Sequence, residues 1–398
     1  MRPILLIDLD DTLFSNPFEC FMPEYIKLLS VQLSPFIEPS RMVQQLLHAT
    51  DRMIAKDLPE KTLEETFNDD FYPRLGLIKN TLSESINDFY ELPYQGLKNL
   101  TGQRPEAIRI INFAKSRNFT IVVATNPLFP RQAILSRLEW AGFSKTDSPF
   151  SLITSYENMH FAKPNSAYYA EILGLLGYPH DPIFMVGNNL QDDILPACEL
   201  GIQSFLVSDS QFPRLDPSIA SVGSLEQVIP WLEDRSDSLF ENGTKSIPAI
   251  LAQLKSTPAV LETLTKNLSA SDWRSKPSPS EWSVQESISH LLDVDQEIHL
   301  FRFEQIISNN STLITGIDSD LWAVERNYNK NRTPQDFHNF LQIRTRLLEL
   351  LSYLSTTEWS QKVRHSIFGP TTLQELAGFI ASHDQDHIRQ IFMLVSTF

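Results

Sequence analysis

The run Pro3-Ile4-Leu5-Leu6-Ile7, closed by Asp8-Leu9-Asp10-Asp11-Thr12, constrains the fold of this chain more than any other segment. A short apolar run bounded by polar residues is the pattern of a strand buried on both faces of a parallel sheet. Two carboxylates two residues apart then emerge at its C-terminal end, the edge at which open α/β sheets bind ligands. Like charges so close together need a cation near them. The arrangement suits a nucleophilic carboxylate beside a carboxyl acid/base, with Mg²⁺ neutralising the pair.

The same alternation continues to about residue 232. Strands are predicted at Thr120–Ala124, Ser151–Thr154, Ile183–Val186 and Ser204–Val207. Helical patterns lie between them, over Pro105–Arg117, Arg131–Ala141, Ser166–Leu176 and Asp192–Leu200. This is the signature of βαβ units. Residues 15–95 are too long for a loop and carry helical periodicity. They read as a helical cap over the sheet edge, with Phe18, Tyr25, Phe67, Phe71, Tyr72, Phe89 and Tyr90 as its core. Residues 233–246 are polar and read as a linker. From 247 to 398 the period is helical throughout, and four helices fit, at about 247–268, 283–308, 334–355 and 371–396. Pro334 suits the first turn of the third, and Thr371 or Thr372 with Glu375 can cap the fourth.

Composition narrows the partners. With 33 basic and 49 acidic residues the net charge is −16, which argues against nucleic acid or an anionic membrane as the main partner. Cys20 and Cys198 are too few for a disulfide framework. No apolar run reaches membrane-spanning length. The first strand begins within two residues of Met1, leaving no room for a secretory signal, and a cytoplasmic protein is expected.

Four polar clusters follow four apolar runs of the first region: Asp8 and Asp10; Thr125 and Asn126; Lys163 in Phe161-Ala162-Lys163-Pro164; and Gly187-Asn188-Asn189-Leu190-Gln191-Asp192-Asp193. A doubly wound sheet brings such clusters to one crevice. Their set, order and spacing resemble the haloacid dehalogenase-like (HAD) hydrolase superfamily over residues 1–232. The resemblance implies a Rossmann-like core with a helical cap. It makes Asp8 the nucleophile and Asp10 the acid/base. Thr125 and the Asn126 backbone N–H would hold phosphoryl oxygens, and Lys163 would neutralise charge. Asp8, Asp10, Asn188, Asp192 and Asp193 become the Mg²⁺ residues. Asp10 is the acid that phosphatases of the superfamily keep and its dehalogenases lack. Asn188 departs from the family's Gly-Asp, removing one ligand charge and implying a weaker metal site. Asp11 reads as a turn residue and His160 as a solvated loop residue.

In the second region His383 and His387 stand at i and i+4 on one helical face, and His290 lies on another predicted helix that can neighbour it. Three facial nitrogens with an open position make a catalytic type of metal site. Lys276-Pro277-Ser278-Pro279-Ser280-Glu281-Trp282-Ser283-Val284, His290-Leu291, Thr372-Leu373-Gln374-Glu375-Leu376, His383–His387 and Gln390-Ile391 resemble the DinB-like metal-binding four-helix bundle family across 247–398. The resemblance makes His290, His383 and His387 the ligands, of Zn²⁺, Ni²⁺ or Fe²⁺. Some members of that family use a low-molecular-weight thiol. His299, His338 and His365 read as surface or packing residues, and Trp273, Trp282, Trp322 and Trp359 as packing anchors. Asp384 and Asp386 read as solvated or as partners to a ligand histidine.

The expected architecture is therefore an α/β Rossmann-like core with helical cap followed by an all-α four-helix bundle. The leading functional expectation is a Mg²⁺-dependent phosphatase of small phosphorylated metabolites, fused to a three-histidine metal site. Two alternatives stand beside it. In one, metal- and thiol-dependent transferase or hydrolase chemistry resides in the bundle and the first domain only binds a phosphorylated ligand. In the other, the chain is a non-catalytic sensor or scaffold. Association into a homodimer is compatible with a bundle of this kind.

Overall fold

The computed structural model describes residues 2–144, 146–208, 216, 219–235, 246–309 and 313–397. The chain divides into two compact units. Among the described residues the first holds 2–57, 61–165 and 180–235. The second holds 58–60, 166–179 and 246–397. Of the expected linker, 236–245 lie outside the described residues.

The first unit is built on a six-stranded, wholly parallel sheet. Its spatial order is Leu152–Ile153, Thr120–Val123, Ile4–Ile7, Ile183–Gly187, Gln203–Val207 and Ser221–Gly223. Ile4–Ile7 is central, and all four of its side chains are buried. That is why its sequence is continuously apolar rather than alternating. The last strand, exposed or half-buried throughout, was not expected: three residues without an apolar run carry no strand signal.

The insertion after the first strand forms helices Phe18–Leu33, Pro39–Ile54, Leu63–Leu75 and Lys79–Glu91, then a 3₁₀ segment Pro93–Leu100. Thr62 and Glu65 form a capping box at the start of the third, and Gly76 ends it with φ +71°, a conformation glycine adopts without a Cβ penalty. Tyr25, Phe71, Tyr72, Phe89 and Tyr90 are buried in the core, with Phe67 packed against it.

The second unit contains the four long helical segments expected from the sequence. These are Ile247–Thr265; Val284–Val294 continuing through a π-helical stretch Asp295–Leu300 into Phe301–Asn309; Gln335–Ser352; and Leu373–Val395. Helix Ser166–Leu175 lies in this unit, and a Cβ on Gly174 would fall 2.5 Å from a Val260 methyl. The unit also carries a small sheet of Leu313–Ile314, Lys362–His365 and Gly369–Thr372. An all-helical reading leaves this out. Lys362–His365 alternates exposed and buried over only four residues, too short to stand against the helical periods around it. No helix among the described residues is long and apolar enough to cross a membrane.

Candidate active site and candidate metal centre

Parallel pairing sets the first site. Ile7 lies in register with Val123 on one side and Val186 on the other. Asp8, Thr125 and Asn188 therefore leave the sheet at one edge. Asp8 N–H donates to the Val186 carbonyl at 2.9 Å, fixing its backbone. Lys163 Nζ donates to Asp8 Oδ1 at 2.8 Å and to Asp193 Oδ1 at 2.5 Å, and all three side chains are buried. Asp193 is anchored further by the Asn189 N–H at 2.9 Å. A Cβ at position 187 would fall 2.3 Å from Asp193 Oδ2, so Gly187 is what admits that carboxylate to the site.

Asp10 is held from both sides. Its Oδ1 accepts from Asn16 Nδ2 at 2.7 Å and its Oδ2 from Arg137 Nη1 at 2.5 Å. Asn188 Oδ1 accepts from the Thr12 hydroxyl at 3.3 Å, and Asp192 Oδ2 from Asn189 Nδ2 at 2.9 Å. The eight expected residues Asp8, Asp10, Thr125, Asn126, Lys163, Asn188, Asp192 and Asp193 all line one cavity of about 380 Å³. Asp11 is the turn residue expected, with φ +55° and its Oδ1 accepting the Asn16 N–H.

Three features depart from expectation. Phe18, expected in the cap core, is instead 71% exposed and lines this cavity, as does the buried core residue Phe21. His160 is fully buried, with its carbonyl taken by Lys56 Nζ at 3.2 Å, and is not solvated. Arg137 and Asn16, which the motifs do not include, reach Asp10. The one available signal for Arg137 was positional, since it follows buried Ala133 and Ile134 at the spacing of a buried helical stripe.

The cavity is short of positive charge. Burial, then Asp193 and Asp10, push the Asp8 carboxyl up to about 7 although Lys163 opposes them. Burial and Asp193 also raise Asp192. Clustered oxygen donors with a deficit of positive charge fit a hard divalent cation such as Mg²⁺.

The second site is formed by His290 on helix Val284–Val294 and by His383 and His387 on helix Leu373–Val395. Capping boxes, Ser283 with Glu286 and Thr372 with Glu375, start these helices. His383 Nε2 lies 3.1 Å from both His290 Nε2 and His387 Nε2. Ligand atoms of the three residues all fall within 4.8 Å of one another. Burial holds His290, His387 and His383 down to about 2, 3 and 4, with neighbouring histidines adding to the effect. Three neutral, converging imidazole nitrogens fit a borderline transition metal. Gln390 Oε1 orients His387 through Nδ1 at 3.2 Å.

Trp282 stacks on His387 at 5.5 Å and meets His290 edge-on at 4.9 Å, so it is a wall of this site as well as a packing anchor. Asp386 is solvated and pairs with Arg389. Asp384 is buried and pairs with Arg344, not with a histidine of the triad. His299 donates its Nδ1–H to the Asp295 carboxylate Oδ1 at 3.0 Å, and its ring lies 6.3 Å from that of His383.

The first unit is thus a HAD-like parallel-sheet fold with a lysine bridging two carboxylates at its edge, and the second a helical bundle whose histidine triad could hold a metal ion. Family comparison gives two matches: residues 253–391 match the DinB superfamily model and residues 160–218 match the HAD-hydrolase-like model. The chain is 22% identical over 139 residues to the uncharacterized protein YuaE of Bacillus subtilis (strain 168), covering 32% of this chain and 85% of that one. Among solved structures it is similar to YfiT from Bacillus subtilis, described as a probable metal-dependent hydrolase with an unusual four-helix bundle topology (18% identity, 38% of this chain, 86% of that one, TM-score 0.35). It is also similar to a HAD phosphatase from Thermococcus onnurineus (16%, 59% and 100%, TM-score 0.38). A third is a 2-haloacid dehalogenase from Pseudomonas syringae pv. Tomato DC3000 (18%, 59% and 99%, TM-score 0.41).

Proposed function

We propose that the HAD-like unit is a Mg²⁺-dependent phosphatase of small phosphorylated metabolites that works through an aspartyl-phosphate on Asp8. The observation that carries this reading is the meeting of Asp8, Asp10, Thr125, Lys163 and Asp193 in one cavity. An Asp8 oxygen attacks phosphorus, forming an acyl-phosphate bond as the ester P–O bond breaks. Asp10 delivers a proton to the departing alkoxide. In the second half Asp10 takes a proton from water, water oxygen attacks phosphorus, and the Asp8–phosphorus bond breaks. Such acid/base assistance is typically worth ~10²–10⁴ in rate. Lys163 fixes the rotamer of Asp8 and offsets charge as the phosphoryl group arrives. Asp8, Asp10, Asn188 and Asp192 or Asp193 would hold Mg²⁺, which supplies charge neutralisation at the phosphoryl oxygens.

In this reading the bundle holds a separate ion of the Zn²⁺ or Ni²⁺ class. A second reading places transferase or hydrolase chemistry with a low-molecular-weight thiol at that ion, and the observation favouring it is the neutral Asn188 in the first site. The discriminating experiment measures phosphate release from a phosphomonoester panel with Mg²⁺ for wild type, Asp8→Asn and Asn188→Asp. The phosphatase reading expects loss in the first variant and tighter Mg²⁺ dependence in the second. Silence of all three proteins would transfer the chemistry to the triad.

A further inference from the structure

Arg137 lies on helix Arg131–Trp140, is 1% exposed, and lines the Asp8 cavity. A guanidinium carries five N–H donors in a fixed fork and is always charged. Here Nη1 alone has a partner, Asp10 Oδ2. Nε and Nη2 are buried with no hydrogen-bond partner. Its Cζ lies over the Phe129 ring, 4.5 Å from the centroid.

A purely structural Arg–Asp pair would engage both carboxylate oxygens through the fork. Here Arg137 reaches Asp10 through Nη1 alone, and Asp10 Oδ1 accepts from Asn16 instead. Leaving buried donors unmet is costly, and in a ligand cavity a bound group can meet them. Lys163, the other cation lining the cavity, is engaged by Asp8 and Asp193. Beside Arg137 the wall is apolar, made by Phe21, Met22, Leu128 and Phe129.

We propose that Arg137 determines substrate specificity: its unpartnered fork edge binds a second oxyanion, a carboxylate or a second phosphate, on an otherwise apolar leaving portion of the phosphate ester. This rests on the phosphatase reading above. While doing so Arg137 keeps its contact to Asp10, so recognition of the leaving portion and placement of the acid/base share one residue.

The test compares kcat/KM for alkyl phosphates, ω-carboxyalkyl phosphates and ω-phosphonoalkyl phosphates over a graded set of spacer lengths. Proteins are the full chain, Arg137→Met and Arg137→Lys. Because Arg137 also touches Asp10, both variants slow every substrate, and the readout is the acidic-to-neutral ratio. Wild type is expected to favour an acidic member by about tenfold or more. The ratio falls towards unity in Arg137→Met and lies between in Arg137→Lys. The two acidic series tell carboxylate from phosphate. A wild-type ratio at or below one at all spacers, or a ratio unchanged in Arg137→Met, overturns the proposal. Should Arg137→Met fail to fold, the wild-type and Arg137→Lys ratios decide.

If wild type hydrolyses no ester, calorimetry with the matching alkylphosphonates, with and without the ω-carboxylate, separates the two claims. A preference for the carboxylate that Arg137→Lys weakens retains the oxyanion site and removes the phosphatase reading. Equal binding of both ligands removes the oxyanion site.

Discussion

At Asp8, removal from water and the neighbouring carboxylates Asp193 and Asp10 favour the neutral acid, whereas Lys163 favours the carboxylate; the balance lifts its pKa from 3.8 to about 7. A group whose folded-state pKa is raised contributes stability that is present below its unfolded value and is lost as pH climbs through the folded value. Metal-free protein should therefore lose stability between about pH 4 and pH 7 from this residue, by an amount on the order of a few kcal/mol. Thermal melts in chelator at pH 5 and pH 8 check it: the fall between them should be smaller in Asp8→Asn, and Mg²⁺ should reduce it in wild type. Equal falls in both proteins would show that Asp8 is not the strained group. The individual site residues divide in how far sequence revealed them. Asp8, Asp10 and Thr125 directly follow paired apolar strands, so strand pairing carries them to one edge; Lys163, Asp192 and Asp193 lie further along the segments after their strands and were legible through the motif pattern. Arg137 and Asn16 reach Asp10 from a helix and a turn, and no run or motif announces such contacts. Asp384 looked like a neighbour of the triad because of its position between two histidines, yet a helix points adjacent residues in different directions.

Among the elements, the four bundle helices are tied by one buried network. Arg344 of Gln335–Ser352 donates Nε to Asp295 Oδ2 at 2.7 Å and Nη2 to Asp384 Oδ1 at 3.0 Å, with Nη1 on Asp384 Oδ2. The Thr257 hydroxyl of the first helix donates to Asp384 at 2.8 Å. Burial works against ionised Asp295, but Arg344 and the His299 contact override it and bring the carboxyl down to about 2. Removing one partner of a buried pair leaves unmatched charge and costs about 3–5 kcal/mol. Arg344→Met should lose stability on that scale in urea denaturation of the full chain, and adding Asp295→Asn and Asp384→Asn should recover part of it. A loss under about 1 kcal/mol, the scale of exposed pairs, would mean the network is solvent-screened. Long helices and central strands were legible because their periods persist over many residues. The π-helical stretches Leu190–Ile194 and Asp295–Leu300 were not. A π turn carries one extra residue, and no residue type or dipeptide marks where it falls.

For the whole molecule, the two candidate sites suit two chemically different ions: oxygen donors for Mg²⁺ in one unit, imidazoles for a transition metal in the other. Elemental analysis of His290→Ala should show loss of the bundle's transition metal, while Mg²⁺-dependent phosphate release persists. Loss of that activity together with the metal would favour chemistry at the triad. The central claim is the covalent role of Asp8, and trapping tests it most directly. Protein is mixed with an accepted phosphomonoester and Mg²⁺, quenched in acid, and weighed intact before peptide mapping. The account predicts a population heavier by one phosphoryl group, mapped to Asp8 and lost in Asp8→Asn. Turnover with no phosphoryl adduct in wild type, or with the adduct on another residue, would contradict it.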